Sequence, residues 1–219
     1  MRIAVINEVS TAGRNIDIMA ALQGRGHDII NLGMKTVGQV PELTLIHSGF
    51  ISALLLNSGR VDYIVAGCST GQGYRLSVGQ YPNMFCGHVE TPLDAWLFPQ
   101  INGGNCVSLA LNQGYGWGAD VNLGIIFDQL FAVSYGTGYP PHRRAPQEDV
   151  RLLLERVSQV CHRTMAEIVW NLEERVVKPA LSFPGVWEFL DVASMEDRAL
   201  ADALCARHEA GADVAGGTT

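Results

Sequence analysis

The sequence predicts an α/β protein: a three-layer, doubly wound, Rossmann-like sheet of five parallel strands with a C-terminal helical extension. Two observations carry this reading. Short apolar runs alternate with helical patterns along the first half of the chain, and such alternation folds as a parallel sheet with right-handed crossovers. At residues 61–75, Val-Asp-Tyr-Ile-Val-Ala-Gly-Cys-Ser-Thr-Gly-Gln-Gly-Tyr-Arg, an apolar run breaks into a glycine-rich turn before helix-compatible residues resume, the pattern of a strand, a turn and a helix start.

Taken in order, Ile3 to Ile6 form the first strand, with Asn7 and Glu8 at its carboxyl end. Ser10 or Thr11 caps a helix carrying Ile16, Met19, Ala20 and Leu22, which stops at Gly24 or Gly26. Residues 27–33 give a second strand, with His27 at the surface, and Leu43 to Leu56 a second helix. The strand into the Cys68 loop is third, followed by a short helix from about Tyr74 that Gly79, Tyr81 and Pro82 interrupt. Residues 84–87 read as the fourth strand, Asp94 to Leu97 as part of a helix, and residues 103–109 as the fifth strand, approached by a polar loop containing Asn102.

Trp117 to Tyr135 is helical, and residues 136–146 form an extended arm holding Arg143 and Arg144. Asp149 to Val177 reads as one long amphipathic helix with Val150, Leu153, Leu154, Val157, Val160 and Cys161 as its buried stripe. Residues 183–190 are apolar enough to dock, and a last helix from Met195 to Arg207 leads into a tail of composition expected to be disordered. The division implied is an α/β domain over residues 1–160 and a helical extension over residues 161–219.

At 219 residues and 47% hydrophobic content the chain supports one sizeable core. Only 17% of residues are charged, so a partner is expected to cover part of the surface, most simply a second copy of the chain. A formal charge of −7 argues against general affinity for nucleic acid or anionic membrane. The five cysteines show neither CxxC nor paired spacing, which suggests no metal site and no disulfide framework and fits a reducing cytoplasm. The N-terminal apolar run is too short for a signal sequence, and no window is long enough to span a membrane.

The glycine-rich turn carries the chemistry. A strand-to-helix turn presents backbone N–H groups at the positive end of a helix, where a phosphate or a developing oxyanion is stabilised. Cys68 offers a thiol that an electropositive setting favours as thiolate, and Thr70 a hydroxyl that both donates and accepts. A base, a proton relay and an oxyanion hole would thus share one loop. The plainer alternative is a small buried cysteine and a turn that lets the helix approach closely. Because the loop follows the third strand, not the first, a dinucleotide cofactor is disfavoured.

At this loop the sequence resembles the ribose 5-phosphate isomerase B family, which includes the subunits of galactose 6-phosphate isomerase. The family's Cys-Gly-Thr-Gly-x-Gly is matched by Cys68-Ser69-Thr70-Gly71-Gln72-Gly73 with one substitution, and the resemblance covers roughly residues 1–160. It implies an aldose–ketose isomerase of sugar phosphates working through an enediolate, without cofactor or metal, in dimers or tetramers whose sites use both protomers. By resemblance Cys68 removes the proton beside the carbonyl and Thr70 assists transfer between the two oxygens. The N–H groups around Gly71 and Gly73 hold the enediolate, Asn102 binds substrate, and Arg143, supplied by the other protomer, holds the phosphate; Arg144 is the alternative. Three departures stand out. Asn7-Glu8 replaces the family's Asp-His pair and joins the substrate-binding set, the ring-opening histidine aligns with Ile101, and a lysine often found after the loop is Gln80. Ring opening is then spontaneous, done by another group such as Glu8, or unnecessary for an open-chain substrate.

Two other functions compete. One is a non-catalytic sugar-phosphate binding or regulatory module, against which the presence of both Cys68 and Thr70 argues. The other is a hydrolase using Cys68 as nucleophile, which requires a histidine base; His47, His88 and His142 show no recognisable partner pattern. The low charge and long apolar helices further predict that the C-terminal extension enlarges a dimer interface.

Overall fold

A computed structural model describes residues 1–215. Five strands, β1 (Arg2–Ile6), β2 (Asp28–Asn31), β3 (Tyr63–Cys68), β4 (Cys86–Val89) and β5 (Cys106–Ala110), form one sheet in the order β2-β1-β3-β5-β4, every pairing parallel. Between them run α1 (Asn15–Leu22), α2 (Leu45–Asn57), α3 (Gln72–Val78) and α4 (Pro92–Ile101), and α5 (Ala119–Ala132) follows β5. The C-terminal helices are α6 (Arg144–Cys161), α7 (Met165–Asn171), α8 (Glu174–Leu181), α9 (Val186–Leu190) and α10 (Arg198–Ala215). This is the doubly wound fold that the strand and helix alternation predicts. Among the described residues no helix is long and apolar enough to cross a membrane.

Side chains alternate across each strand, so the sheet feeds two cores. Ile3, Val5, Tyr63 and Val65 face one way, against Ile18, Leu22, Leu123, Phe127 and Leu130 of α1 and α5. Ala4, Ile6, Ile64, Ala66 and Cys68 face the other way, against α2 and α3. That second core continues past α2 into Val169, Val177, Leu181, Leu200 and Leu204 of α7, α8 and α10. With the sheet on one side and the extension on the other, α2 is buried continuously from Ser48 to Leu55. A helix apolar all round is the sequence such a position demands.

The structure corrects several expectations. The long helix from Asp149 is three helices. Thr164 starts a new one, its hydroxyl accepting the Glu167 N–H (3.2 Å) while the Glu167 carboxylate accepts the Thr164 N–H (2.9 Å), a capping box that ends the old axis and begins another. The stripe expected to be buried on that helix is open: Val150, Leu153, Leu154, Val157 and Val160 are 45–86% exposed, and Cys161 is exposed too. Nothing among the described residues covers that face of α6, whose one buried residue is Ser158. Neither Ser10 nor Thr11 caps α1. A 3-10 turn over Ala12–Arg14 intervenes, and Ser10 bonds Glu8 instead.

His27 is half-buried, its ring edge-on to Phe131 with centroids 4.8 Å apart. The last helix runs past Arg207 to Ala215, through alanine-rich sequence with high helix propensity; the end of the expected tail, residues 216–219, lies outside the described residues.

Candidate active site

β1 and β3 are neighbours, and the chain leaves them toward opposite sides of the sheet, β1 toward β2 and β3 toward β4 and β5. The crevice at such a switch point, beyond the carboxyl ends of the strands, is where doubly wound sheets bind ligands. Ile6 pairs with Ala66; two residues further along each strand stand Glu8 and Cys68. Gly67, just before the cysteine, lies so close to β5 that a Cβ there would sit 2.2 Å from the Leu109 carbonyl oxygen. Only glycine brings the two strands together at this level.

Cys68 is buried, and its sulfur accepts the Tyr74 N–H of the first turn of α3 at 3.5 Å. Tyr74 is itself anchored, its hydroxyl donating to Ser52 Oγ at 2.7 Å. The loop between is a tight turn closed by Gly71 N–H to the Cys68 carbonyl (3.2 Å), with Gly71 at φ +74° as the N-cap of α3. The Gln72 N–H bonds Thr70 Oγ1 at 3.3 Å. His88, on β4, reaches under the loop: its Nε2 donates to the Thr70 carbonyl oxygen at 2.9 Å, and its Nδ1 faces Gln72 Nε2 at 3.3 Å and the Glu90 carboxylate at 3.4 Å. Ser108 of β5 donates to the Gly71 carbonyl. Among the described residues the N–H groups of Ser69, Thr70 and Gly73 have no protein acceptor, so they are the donors open to a ligand; that of Gly71 is used within the turn.

A second polar layer joins β1 and β5 over this loop. Glu8 is buried, with its carboxylate accepting the Ser10 N–H (3.1 Å) and hydroxyl. Ser69 Oγ donates to Ser10 Oγ at 3.1 Å, and Asn112 Nδ2 donates to both Ser69 Oγ and the Ser10 carbonyl at 2.9 Å. Asn7 is fully buried: its Nδ2 donates to Asn15 Oδ1 at 3.0 Å, while its own Oδ1 has no partner among the described residues. Two other thiols stand at the amino ends of β4 and β5. Cys86 and Cys106 are register partners across β4 and β5, and the hydrogen bond to Cys106, reinforced by burial, pushes the Cys86 thiol well above its ordinary value. A thiol held that way is a poor base.

Asn7, Glu8, Cys68, Thr70, Gly71 and Gly73 therefore share one edge of the sheet. Asn102 and Arg143 do not join them. Asn102 caps the far end of α4, just before the residues that lead into β5 at Cys106. Since Ile64 pairs with Cys106 and Cys68 with Ala110, Cys68 stands about 13 Å further along the strand direction at roughly 3.3 Å per residue. Asn102 and Arg143 instead share a cleft of about 490 Å³ between α6 and the β4 edge, lined also by Phe98, Val150, Leu154 and Val157. Of the histidines, His47 caps α2 and bonds the Arg175 carbonyl, and His142 is exposed in a turn before α6; only His88 touches the Cys68 loop. Ser10, Arg14 and Asn112 carry no motif, and Ser69 stands in the Cys68 motif only as its one substitution. Their shared sequence signal is position, just beyond the carboxyl ends of β1, β3 and β5.

The family model for Ribose/Galactose Isomerase matches residues 3–121. The chain belongs to that family. It is an isomerase of the intramolecular oxidoreductase type. A crystal structure of 4-deoxy-L-threo-5-hexosulose-uronate ketol-isomerase complexed with a tartrate is 33% identical with TM-score 0.89, over 95% of this chain and 100% of that one. The crystal structure of ribose-5-phosphate isomerase from Vibrio parahaemolyticus is 35% identical with TM-score 0.89, over 94% of this chain and 99% of that one. Type B ribose 5-phosphate isomerase from Leishmania infantum, 13% identical with TM-score 0.60 over 74% of this chain and 98% of that one, shares the fold. Likeness along nearly the whole chain, C-terminal helices included, is found in the first two. No curated protein matches the chain.

Proposed function

We propose that this family member interconverts an open-chain aldose and its ketose through an enediolate, with Cys68 as the base. The observation that carries the reading is the position of the Cys68 sulfur: it ends β3 at the switch point, against the first turn of α3 and beside open N–H donors. The thiolate takes the proton from the carbon next to the carbonyl, giving a thiol and an enediolate. The N–H groups of Ser69, Thr70 and Gly73 stabilise the oxygen where charge develops, and donors so placed are each worth about 100 to 1,000-fold in rate. Thr70 relays a proton between the two oxygens, and the thiol returns its proton to the neighbouring carbon. Asn7 and Glu8 orient the substrate hydroxyls.

Asn102 and Arg143 act in the site of a second copy. Two features support this: both stand at the opposite end of the sheet from Cys68, and the cleft they share opens beside the exposed apolar stripe of α6. A homodimer that covers the stripe brings one protomer's Arg143 to the other's Cys68 loop.

The substrate carries an anionic end. The similar proteins present two such groups by name, a phosphate and a uronate carboxylate. The absence of a histidine at Ile101 supports a substrate that needs no ring opening. The test is turnover on a panel of pentose phosphates, hexose phosphates and open-chain uronates. Cys68→Ala is expected to lose at least about 100 to 10,000-fold in kcat, the range for a general base, with KM retained. A Cys68→Ala protein of undiminished kcat would remove Cys68 from the mechanism.

A further inference from the structure

The mouth of the Cys68 loop holds a cation that no motif marks. Arg14 ends the 3-10 turn after β1, and its Nε donates to both the Leu111 carbonyl and Asn112 Oδ1, each at 3.2 Å. Its guanidinium carbon lies 4.2 Å from the centre of the Tyr115 ring. The same Asn112 donates to Ser69, the residue after Cys68, so one amide joins the guanidinium to the reactive loop.

The two Nη groups are unused. Among the described residues they meet no acceptor, and Arg14 forms no ion pair. The carboxylates nearby are engaged elsewhere: Glu8 accepts from Ser10, and Asp17 accepts from the Tyr115 hydroxyl at 2.6 Å. In a chain with 22 acidic and 15 basic residues, an arginine oriented by a carbonyl, an amide and an aromatic face, with no ion-pair partner among the described residues, is built for a ligand. The planar pair of Nη donors matches the two oxygens of a carboxylate. A phosphate dianion would sit with one cation against the charges of Glu8 and Asp17.

We propose that Arg14 receives the carboxylate of an open-chain sugar acid and sets the preference of this site for a carboxylate over a phosphate. The assignment rests on the isomerase reading above and adds to it the chemical class of the substrate. The site then has an order: the anionic end at Arg14 and Asn112, the reacting carbons at Cys68.

Calorimetric titration of 4-deoxy-L-threo-5-hexosulose-uronate into Cys68→Ala and Cys68→Ala/Arg14→Gln proteins tests this without turnover. Binding is expected to weaken by about 100-fold on loss of a paired, charge-assisted contact, and Arg14→Lys to recover part of it. In the Cys68-containing protein Arg14→Gln should raise KM for the uronate with kcat within about twofold, and leave KM for an uncharged aldose unchanged. A structural role in the loop would instead depress kcat on every substrate. Equal uronate affinity with and without Arg14, absence of uronate binding to Cys68→Ala protein, or a loss confined to ribose 5-phosphate would each overturn the assignment. Failure of the isomerase reading looks different: no turnover by wild type on any substrate, with Arg14-dependent uronate binding intact.

Discussion

His88 Nε2 donates to the Thr70 carbonyl oxygen at 2.9 Å, tying β4 to the turn that presents Cys68. A Cβ on Gly71 would stand 2.5 Å from the same nitrogen, on a residue whose φ is +74°. The turn is thus held from below by a histidine and kept narrow by a glycine, so the open N–H groups of Ser69, Thr70 and Gly73 are positioned before substrate arrives.

His88 is accordingly a positioning residue. His88→Ala is expected to lower kcat by about tenfold, the equivalent of about 1.4 kcal/mol, with little change in KM. His88→Gln, whose amide can donate to the same carbonyl, should recover part of the loss. Gly71→Ala should lose more activity, because it strains the turn and displaces the imidazole. Steady-state kinetics of the three variants check the ranking; equal activity of His88→Ala and wild type would contradict it.

A shared site predicts complementation. Cys68→Ala and Arg143→Ala homodimers should both be nearly inactive, yet subunits exchanged between them at equal concentration should regain about a quarter of wild-type activity, since half the dimers then carry one intact site of two. Val157→Glu, which places a charge in the exposed α6 stripe, should yield a monomer by light scattering and lose activity with the dimer. A fully active Val157→Glu monomer would mean that Asn102 and Arg143 are not needed at the Cys68 loop.

Much of this was legible in the sequence, and the reasons differ by element. β3 and its turn were readable because Ile64-Val65-Ala66 is apolar on both faces, as a central parallel strand must be, and the glycines that follow have steric reasons to be there. Helix α6 misled because an amphipathic period says that a face will be covered without saying by what; α6 and α7 share a period, and only the Thr164–Glu167 box separates them. The family resemblance points to Asn102 and Arg143, but the distance of Asn102 from Cys68 depends on α4 running the length of the sheet, which no local pattern encodes. Arg14 and Asn112 come from different βα connections and meet only in three dimensions.

The C-terminal helices complete the core behind α2. Leu204 on α10 is fully buried in the same cluster as Ile51 and Leu54 of α2, and Leu204→Ala is expected to cost about 2–5 kcal/mol. Urea unfolding should show a lower midpoint with an unchanged slope. A change under 1 kcal/mol would mean that α10 does not share the cooperative unit.

His27 predicts a pH dependence of stability. Burial first, and then neighbouring positive charge, holds its imidazole below the ordinary value, and its Nδ1 is buried without a partner among the described residues. The unfolded chain protonates this residue near pH 6.5, whereas the folded one resists until lower pH. The unfolded state therefore binds more protons in that window, and stability is full above about pH 6.5 and declines as pH falls toward the native value. Between pH 7 and 5.5 the melting temperature of wild type should fall more steeply than that of His27→Gln; parallel curves would assign the slope to other groups.

The most direct test of the central claim is solvent-proton incorporation. Wild type and Cys68→Ala proteins are incubated in heavy water with an open-chain uronate and with ribose 5-phosphate, and the C1 and C2 protons are followed by NMR. Enediolate chemistry with Cys68 as base predicts deuterium in the product from wild type and none above background from Cys68→Ala. Isomerisation without deuterium incorporation, or incorporation that survives in Cys68→Ala, would contradict it, the second result passing the role of base to Glu8.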